Sequence, residues 1–262
     1  MTRSIGAATF APSPGAAPLS RMVLSQARME SRLILRNGEQ LLLAVVIPVI
    51  VLVGGVTGAR HIGLHFAHPA VDVFTPGVLA LAVMSTSFAS LAIATGFERR
   101  YGVIKRLGSS PLPRSGLLLG KIGALLMVEV LQLAVIGAVA LLLGWSPVVS
   151  AGSIGSALVV IALGTAAFAG LGLFLAGVLR AEATLAAANL VYLLLMTGGA
   201  VVLPTTSYGG FGHVASWLPS GALGNGLRLA AIDGTLSLHA VLVLVLWAAL
   251  GATMTARTFT WE

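Results

Sequence analysis

The sequence predicts an all-α integral membrane protein. It should have six transmembrane helices, an N-terminal amphipathic interfacial helix, and short re-entrant extracellular helices between spans five and six. Three observations predict this. The chain of 262 residues is 57% hydrophobic and only 9% charged, with mean hydropathy +1.00; soluble domains carry about 25% charged residues. Six apolar stretches recur at close to the roughly 20 residues that a bilayer-crossing helix needs. The cationic residues gather in the connections that would lie on one side of a membrane.

Residues 1–18 hold Pro12, Pro14 and Pro18 and few structure-forming residues, so they read as a flexible tail. The prolines interrupt any apolar core, which makes the stretch a poor signal peptide. Residues 19–40 differ. Arg21, Arg28, Arg32 and Arg36 follow helical steps and share one face. Met22, Val23, Met29, Leu33 and Ile34 populate much of the remainder. That pattern fits an amphipathic helix lying among lipid headgroups.

Residues 41–262 form the six-span domain. The spans are expected at Leu41 to Thr57, Pro76 to Thr95, Leu117 to Leu143, Ile154 to Leu179, Ala183 to Leu203 and Leu236 to Thr255. The third and fourth are long, so tilt or extension beyond the bilayer is expected. Small-residue pairs (Gly54/Gly58, Gly116/Gly120, Ala166/Gly170) suit close helix packing. Residues 204–235 combine Tyr208, Phe211, Trp217 and several leucines with prolines and many glycines. The stretch is too apolar for a free loop and too broken for a span. Irregular backbone at that depth must be buried in protein, hence the re-entrant helices.

Charge placement orients the chain. With both termini inside, the inner side carries Arg3, Arg21, Arg28, Arg32, Arg36, the six cations of the Phe97–Lys121 stretch, Arg180 and Arg257. The outer side carries only Arg60 and Arg228. The expected place is the cytoplasmic membrane, with multiple passes and both termini cytoplasmic. The net charge of +7 then reads as topology and headgroup contact and does not call for nucleic acid. The absence of cysteine excludes disulfides and thiolate metal sites.

The most informative stretch is FERRYGVIKRLGSSPLPRSGLLLGK, with Arg99, Arg100, Lys105, Arg106, Arg114 and Lys121. Residues 98–107 are mostly helix-compatible, and Pro111 and Pro113 then break any helix. A short helix, a turn and a new span would form a peg for a partner protein. An ordinary positive-inside loop fits the same pattern.

The run E-R-R-Y-G-V-I-K-R-L-x-x-x-P-L-P-R, followed by L-L-L-G-K, resembles the loop after the second span of ABC type-2 permeases, including daunorubicin-type drug-efflux permeases. The later W-L-P-S-G-A-L-G-N-G-L-R stands in the expected place before the last span. The resemblance implies a bacterial membrane subunit of an ATP-driven exporter. It implies that residues 97–116 carry a coupling helix docking on a nucleotide-binding ATPase subunit, with Glu98, Arg99, Arg100, Tyr101, Gly102, Lys105, Arg106 and Leu107 as contacts. It also implies that spans one, two and five border the path between two permease subunits, alike or different.

The chain itself offers no ATP site. Gly120-Lys121 lacks a glycine five residues before Gly120, and Ile122 follows where Ser or Thr is needed. ATP and Mg are expected on the partner. His61, His65 and His68 could share a helical face, but Asp72 is the only further candidate ligand, so a solvated interfacial loop is expected and no metal. Glu129 and Gln132 share a face of the third span, with Glu129 roughly 12 Å beyond Lys121 along the axis. An acid at that depth faces a path, a subunit seam, or a polar clamp on a neighbouring helix. Asn189 and Tyr192 form a similar pair in the fifth span. No hydrolase motif or paired catalytic carboxylates occur, so no catalytic residues are expected. The expected cargo is a hydrophobic or amphipathic small molecule, drug or lipid-like. The alternatives are glycolipid or polysaccharide export and, in another class, an intramembrane enzyme or passive anchor.

Overall fold

In the computed structural model, residues 17–36, 38–63, 66–103 and 114–258 are described. Among them all regular structure is helical. The elements are α1 (Leu19–Arg36), α2 (Gly38–His61), α3 (Ala70–Met84), a π-helical turn (Ser85–Ser90), α4 (Leu91–Arg100), α5 (Arg114–Leu142), α6 (Ala151–Val178), α7 (Ala181–Gly198), a 3-10 turn (Thr205–Tyr208), α8 (Phe211–Ser216), α9 (Pro219–Ile232) and α10 (Leu238–Thr258). Among the described residues, six helices are long and apolar enough to cross a membrane: Ala44–His61, Ala70–Arg100, Leu119–Leu142, Ala151–Val178, Ala181–Gly198 and Leu238–Thr258.

The second span runs longer than the sequence suggests. It is α3, the π turn and α4 in one continuous helix, and 72% of its 18-residue apolar segment is buried, against 17% of α7. Span two is therefore the axis around which the others pack. Its inner side chains Leu81, Met84 and Phe88 meet Phe168 of α6, Leu223 of α9 and Leu244 of α10. A second cluster joins Leu52 and Val56 of α2, Phe74 and Val78 of α3, and Ile136 of α5. Outward, Ile50, Val130, Leu194 and Leu246 are each about 60% exposed. A shell of that kind needs lipid as its solvent. In lipid, helix association rests on close packing and internal hydrogen bonds more than on hydrophobic burial.

The glycines show where that packing is closest. Gly170 of α6 and Gly251 of α10 touch backbone to backbone, so a Cβ on either would approach the other helix to about 3 Å. Gly120 of α5 receives Gln26 of α1. Gly54 and Gly58, by contrast, have nothing within 4 Å of an added Cβ. Their expected close packing is not made within this chain, because α2 turns that face outward.

Helix α1 also differs from a simple amphipathic reading. Its arginines Arg21, Arg28 and Arg32 are exposed, but so are Leu24, Met29 and Leu33. The face turned to α5 is polar, with Gln26 and Ser31 buried. The helix thus presents charge and hydrocarbon together to its surroundings.

The fifth span ends at Gly198, short of the expected Leu203. The chain from Gly199 then crosses beneath α9, with buried Ala200 at φ +53°. The residues 204–235 form a 3-10 turn and two short helices, of which α9 is packed into the bundle against α3, α6 and α10. Pro219 opens α9 at the position where its missing N–H costs nothing.

Candidate functional site

Three polar assemblies interrupt the apolar bundle. The first lies where span two runs into the cationic loop. Lys121 Nζ donates to both carboxylate oxygens of Glu98 at 2.7 Å, which ties α4 to α5. Glu30 of α1 stands 4.0 Å from the same nitrogen. Arg99 donates to the carbonyls of Ala176 and of Gly177, the latter at 2.9 Å. Those carbonyls end α6, where the helix dipole favours a cation. Arg100 forms an ion pair with Glu182 at the start of α7, and its guanidinium lies 5.8 Å from the Tyr101 ring centre. Tyr101 is 63% exposed and stacks on Phe97. Gly102 ends the helix at φ +65°, a conformation open to glycine at little cost.

Of the residues expected to carry coupling, Glu98, Arg99 and Arg100 are thus held by α5, α6 and α7, while Tyr101 projects. Lys105, Arg106 and Leu107 lie outside the described residues, as does His65 of the outer histidine set. Among the described residues, no group of three or more potential metal ligands comes together.

The second assembly crosses the middle of the bundle. Pro48 of α2 has no N–H, so it cannot donate to the carbonyl of Ala44. Gln132 Nε2 donates to that carbonyl instead, at 2.8 Å. Its Oε1 accepts from Thr86 of the π turn at 2.5 Å. On the other side of the same turn, the Tyr192 hydroxyl meets the side chain of Ser85. A chain of polar contacts thus runs from α2 through α5 and the π turn to α7. Glu129, one turn from Gln132, points elsewhere. It is 1% exposed, and its Oε1 accepts from Thr165 of α6 at 2.8 Å. Asn189 lies on the exposed face of α7. The structure therefore joins Gln132 and Tyr192 through the π turn, and it places Glu129 and Asn189 apart from them and from each other.

The third assembly was not visible in the sequence. Arg228 of α9 is 6% exposed. It donates to the carbonyls of Val73 at 3.1 Å, Val201 at 2.8 Å and Val202, and to Asn225 Oδ1 at 3.1 Å. The small residues of P-S-G-A-L-G-N-G-L-R admit the crossing chain. A Cβ on Gly224 would lie 2.6 Å from the Val201 carbonyl oxygen, and one on Gly77 of α3 would lie 2.4 Å from that of Val202. Ser220 Oγ donates to Gly199 O at 2.8 Å. The motif is a socket in which one guanidinium holds the start of span two, the end of span five and α9 together.

The fold and these assemblies define a multi-pass membrane protein in which the charged end of span two is tied to several other helices. Residues 18–231 match the family model described as ABC-2 type transporter. The chain belongs to that family and is a membrane-embedded ABC transporter permease, not by itself an enzyme. No curated protein matches it closely enough to serve as a relative.

Proposed function

We propose that the chain is the membrane subunit of an ABC exporter. A separate ATPase subunit would bind ATP and Mg and dock on the 97–116 loop at the cytoplasmic face. The cargo would be a hydrophobic or amphipathic small molecule, as the resemblance to drug-efflux permeases implies. The observation that carries the coupling reading is the anchoring of the loop's first turn. A push on Glu98–Tyr101 bears on α5 through Lys121, on α6 through Arg99 and on α7 through Glu182. A loop that served only to set topology would not need those ties.

A second permease subunit fits the surface. Helices α2 and α7 bury small shares of their spans, and Gly54, Gly58 and Asn189 face outward from them. The seam between two subunits would run along those faces. Two experiments test the proposal. Purification of the tagged chain should bring an ATPase subunit with it, and the pair in vesicles should move a fluorescent amphiphile only with ATP. Movement without ATP, or no ATPase in the complex, overturns it. The orientation is read from single cysteines in this cysteine-free chain. Ser109 and Arg180 should label from the cytoplasmic side only, and Ser150 and Ser207 from outside only; Ala181, in the same connection, is buried and unsuited to labelling.

A further inference from the structure

Beneath the Glu98–Lys121 pair lies a cavity of about 150 Å³ walled by α1, the start of the first span, span two and α5. Its depth is lined by Leu91, Leu125 and Val128 among other apolar groups, and its mouth by Glu30, Glu98 and Lys121. From Lys121 to Val128 is about 10 Å along the helix. The volume matches that of an apolar cavity able to hold a benzene ring. Its length and narrow apolar wall suit one alkyl chain.

The charges at the mouth do not balance. Lys121 gives hydrogen bonds to both oxygens of Glu98. Glu30 Oε1 accepts from Gln26 at 2.8 Å, while Oε2 stands 4.0 Å from Lys121, beyond hydrogen-bond length. Among the described residues lining the cavity there are two carboxylates and one ammonium. The Glu30 and Lys121 side chains are each 17% exposed and that of Glu98 28%. Burial pushes the Glu30 carboxyl above its ordinary range, and Lys121 only partly opposes this. A carboxylate so placed gains from a second cation that brings its own hydrogen-bond donors.

We propose that this cavity binds an amphipathic primary amine, with its ammonium between Glu30 and Glu98 and its alkyl chain along Leu91, Leu125 and Val128. A primary ammonium carries three donors, enough to engage both carboxylates. The same chemistry comes from two sources, an aminophospholipid of the bilayer or a single-chain amine from solution. The site involves no transport step, so its failure would leave the exporter reading standing.

The test uses the full chain in nanodiscs of phosphatidylglycerol. The probe is a ten-carbon primary amine with a diazirine at its tail, and crosslinks are mapped by mass spectrometry. Labelling should fall on residues 91–94 and 124–128 and should be displaced by decylamine but not by decanol. Glu30→Gln keeps the shape and the Gln26 contact but removes the charge, and it should weaken labelling about tenfold, the loss of one charged hydrogen bond. Ala94→Phe fills the cavity with the carboxylates intact and should abolish labelling in protein that still elutes as a folded species. Labels spread over the outward faces of α7 and α10, or equal labelling in wild type and both variants, overturn the site. Replacing half of the lipid with phosphatidylethanolamine separates the sources. Reduced labelling assigns the site to the bilayer lipid, and unchanged labelling assigns it to the soluble amine.

Discussion

Pro48 and Gln132 lie on different helices, and the structure predicts that their effects on stability are coupled. Gln132→Leu removes two hydrogen bonds, to Ala44 O and from Thr86. Thr86 can turn its hydroxyl to its own helix, so its loss is small. Ala44 cannot recover in the same way, because the residue four positions on is Pro48 and has no N–H to offer. An orphaned carbonyl costs about 1–3 kcal/mol where fully buried, and the part-buried site of Ala44 places it toward the low end of that range. In a Pro48→Ala background the new N–H of residue 48 reaches Ala44, so Gln132→Leu should lose only the Thr86 contact. The two substitutions should therefore show a coupling of about 1–2 kcal/mol in a double-mutant cycle, within the 0.5–3 kcal/mol seen for interacting neighbours. The assay is reversible unfolding in mixed SDS micelles, followed by tryptophan fluorescence, for the wild type, both single variants and the double variant. Additivity within about 0.3 kcal/mol would refute the argument that Gln132 stands in for the missing proline donor.

Four further outcomes follow from the same reasoning. Arg228→Met should destabilise the cap formed by residues 199–235 by about 2–6 kcal/mol, since Val201 and Val202 lie outside any helix and lose their donors, each worth about 1–3 kcal/mol; a melting temperature within about 1 °C of wild type would contradict this. Gly77→Ala should unfold the same cap, because its Cβ would lie 2.4 Å from both the Val202 oxygen and Arg228, and limited proteolysis within 199–235 reads it. Glu129→Gln should keep the Thr165 contact and leave stability within about 0.5 kcal/mol, while Glu129→Leu should cost only about 0.5–1.5 kcal/mol for the lost hydrogen bond, because Thr165, like Thr86, can turn its hydroxyl to its own helix; transport by the Gln variant at normal expression tests separately whether the charge serves cargo. Arg100→Glu should impair ATP-driven transport and Glu182→Arg in the same chain should restore it, with thermal stability nearly constant because both side chains are half or more exposed; no rescue would remove this pair from the coupling route.

The class of fold was legible because lipid imposes its requirements on every span. Runs of apolar residues carry through to six helices long and apolar enough to span, among the described residues. The broken, apolar stretch before the last span was legible too, since exposed irregular backbone has no place at membrane depth. The polar contacts were harder to read, and for a definite reason. Pro48 announces an unsatisfied carbonyl at Ala44, but the donor comes from whichever helix is turned toward it, and Gln132 is reached only in three dimensions. Arg228 reads locally as an outer charge; the carbonyls that surround it belong to residues 73, 201 and 202. The π turn had a signal that local reading passed over. Ser85, Thr86, Ser87 and Ser90 place four hydroxyls within six residues of an otherwise apolar span. Helix α1 showed the arginine face, but the inward role of Gln26 and Glu30 depended on the glycines of α5.

The π turn also sets the rotational phase of everything that follows it. An α-helix advances by about 100° per residue, and the wider turn at Ser85–Ser90 absorbs part of that advance before α4 begins. The direction in which Glu98, Arg99 and Arg100 point is therefore decided two to three turns earlier, in the centre of the bundle. Deleting one residue from the turn would swing the three charges by about 100° and draw them in by about 1.5 Å. Lys121, the end of α6 and Glu182 would then all face the wrong side chains, although none of those residues had been changed. The loop is aimed like the bit of a key, and the cut that fixes its angle lies far up the shaft.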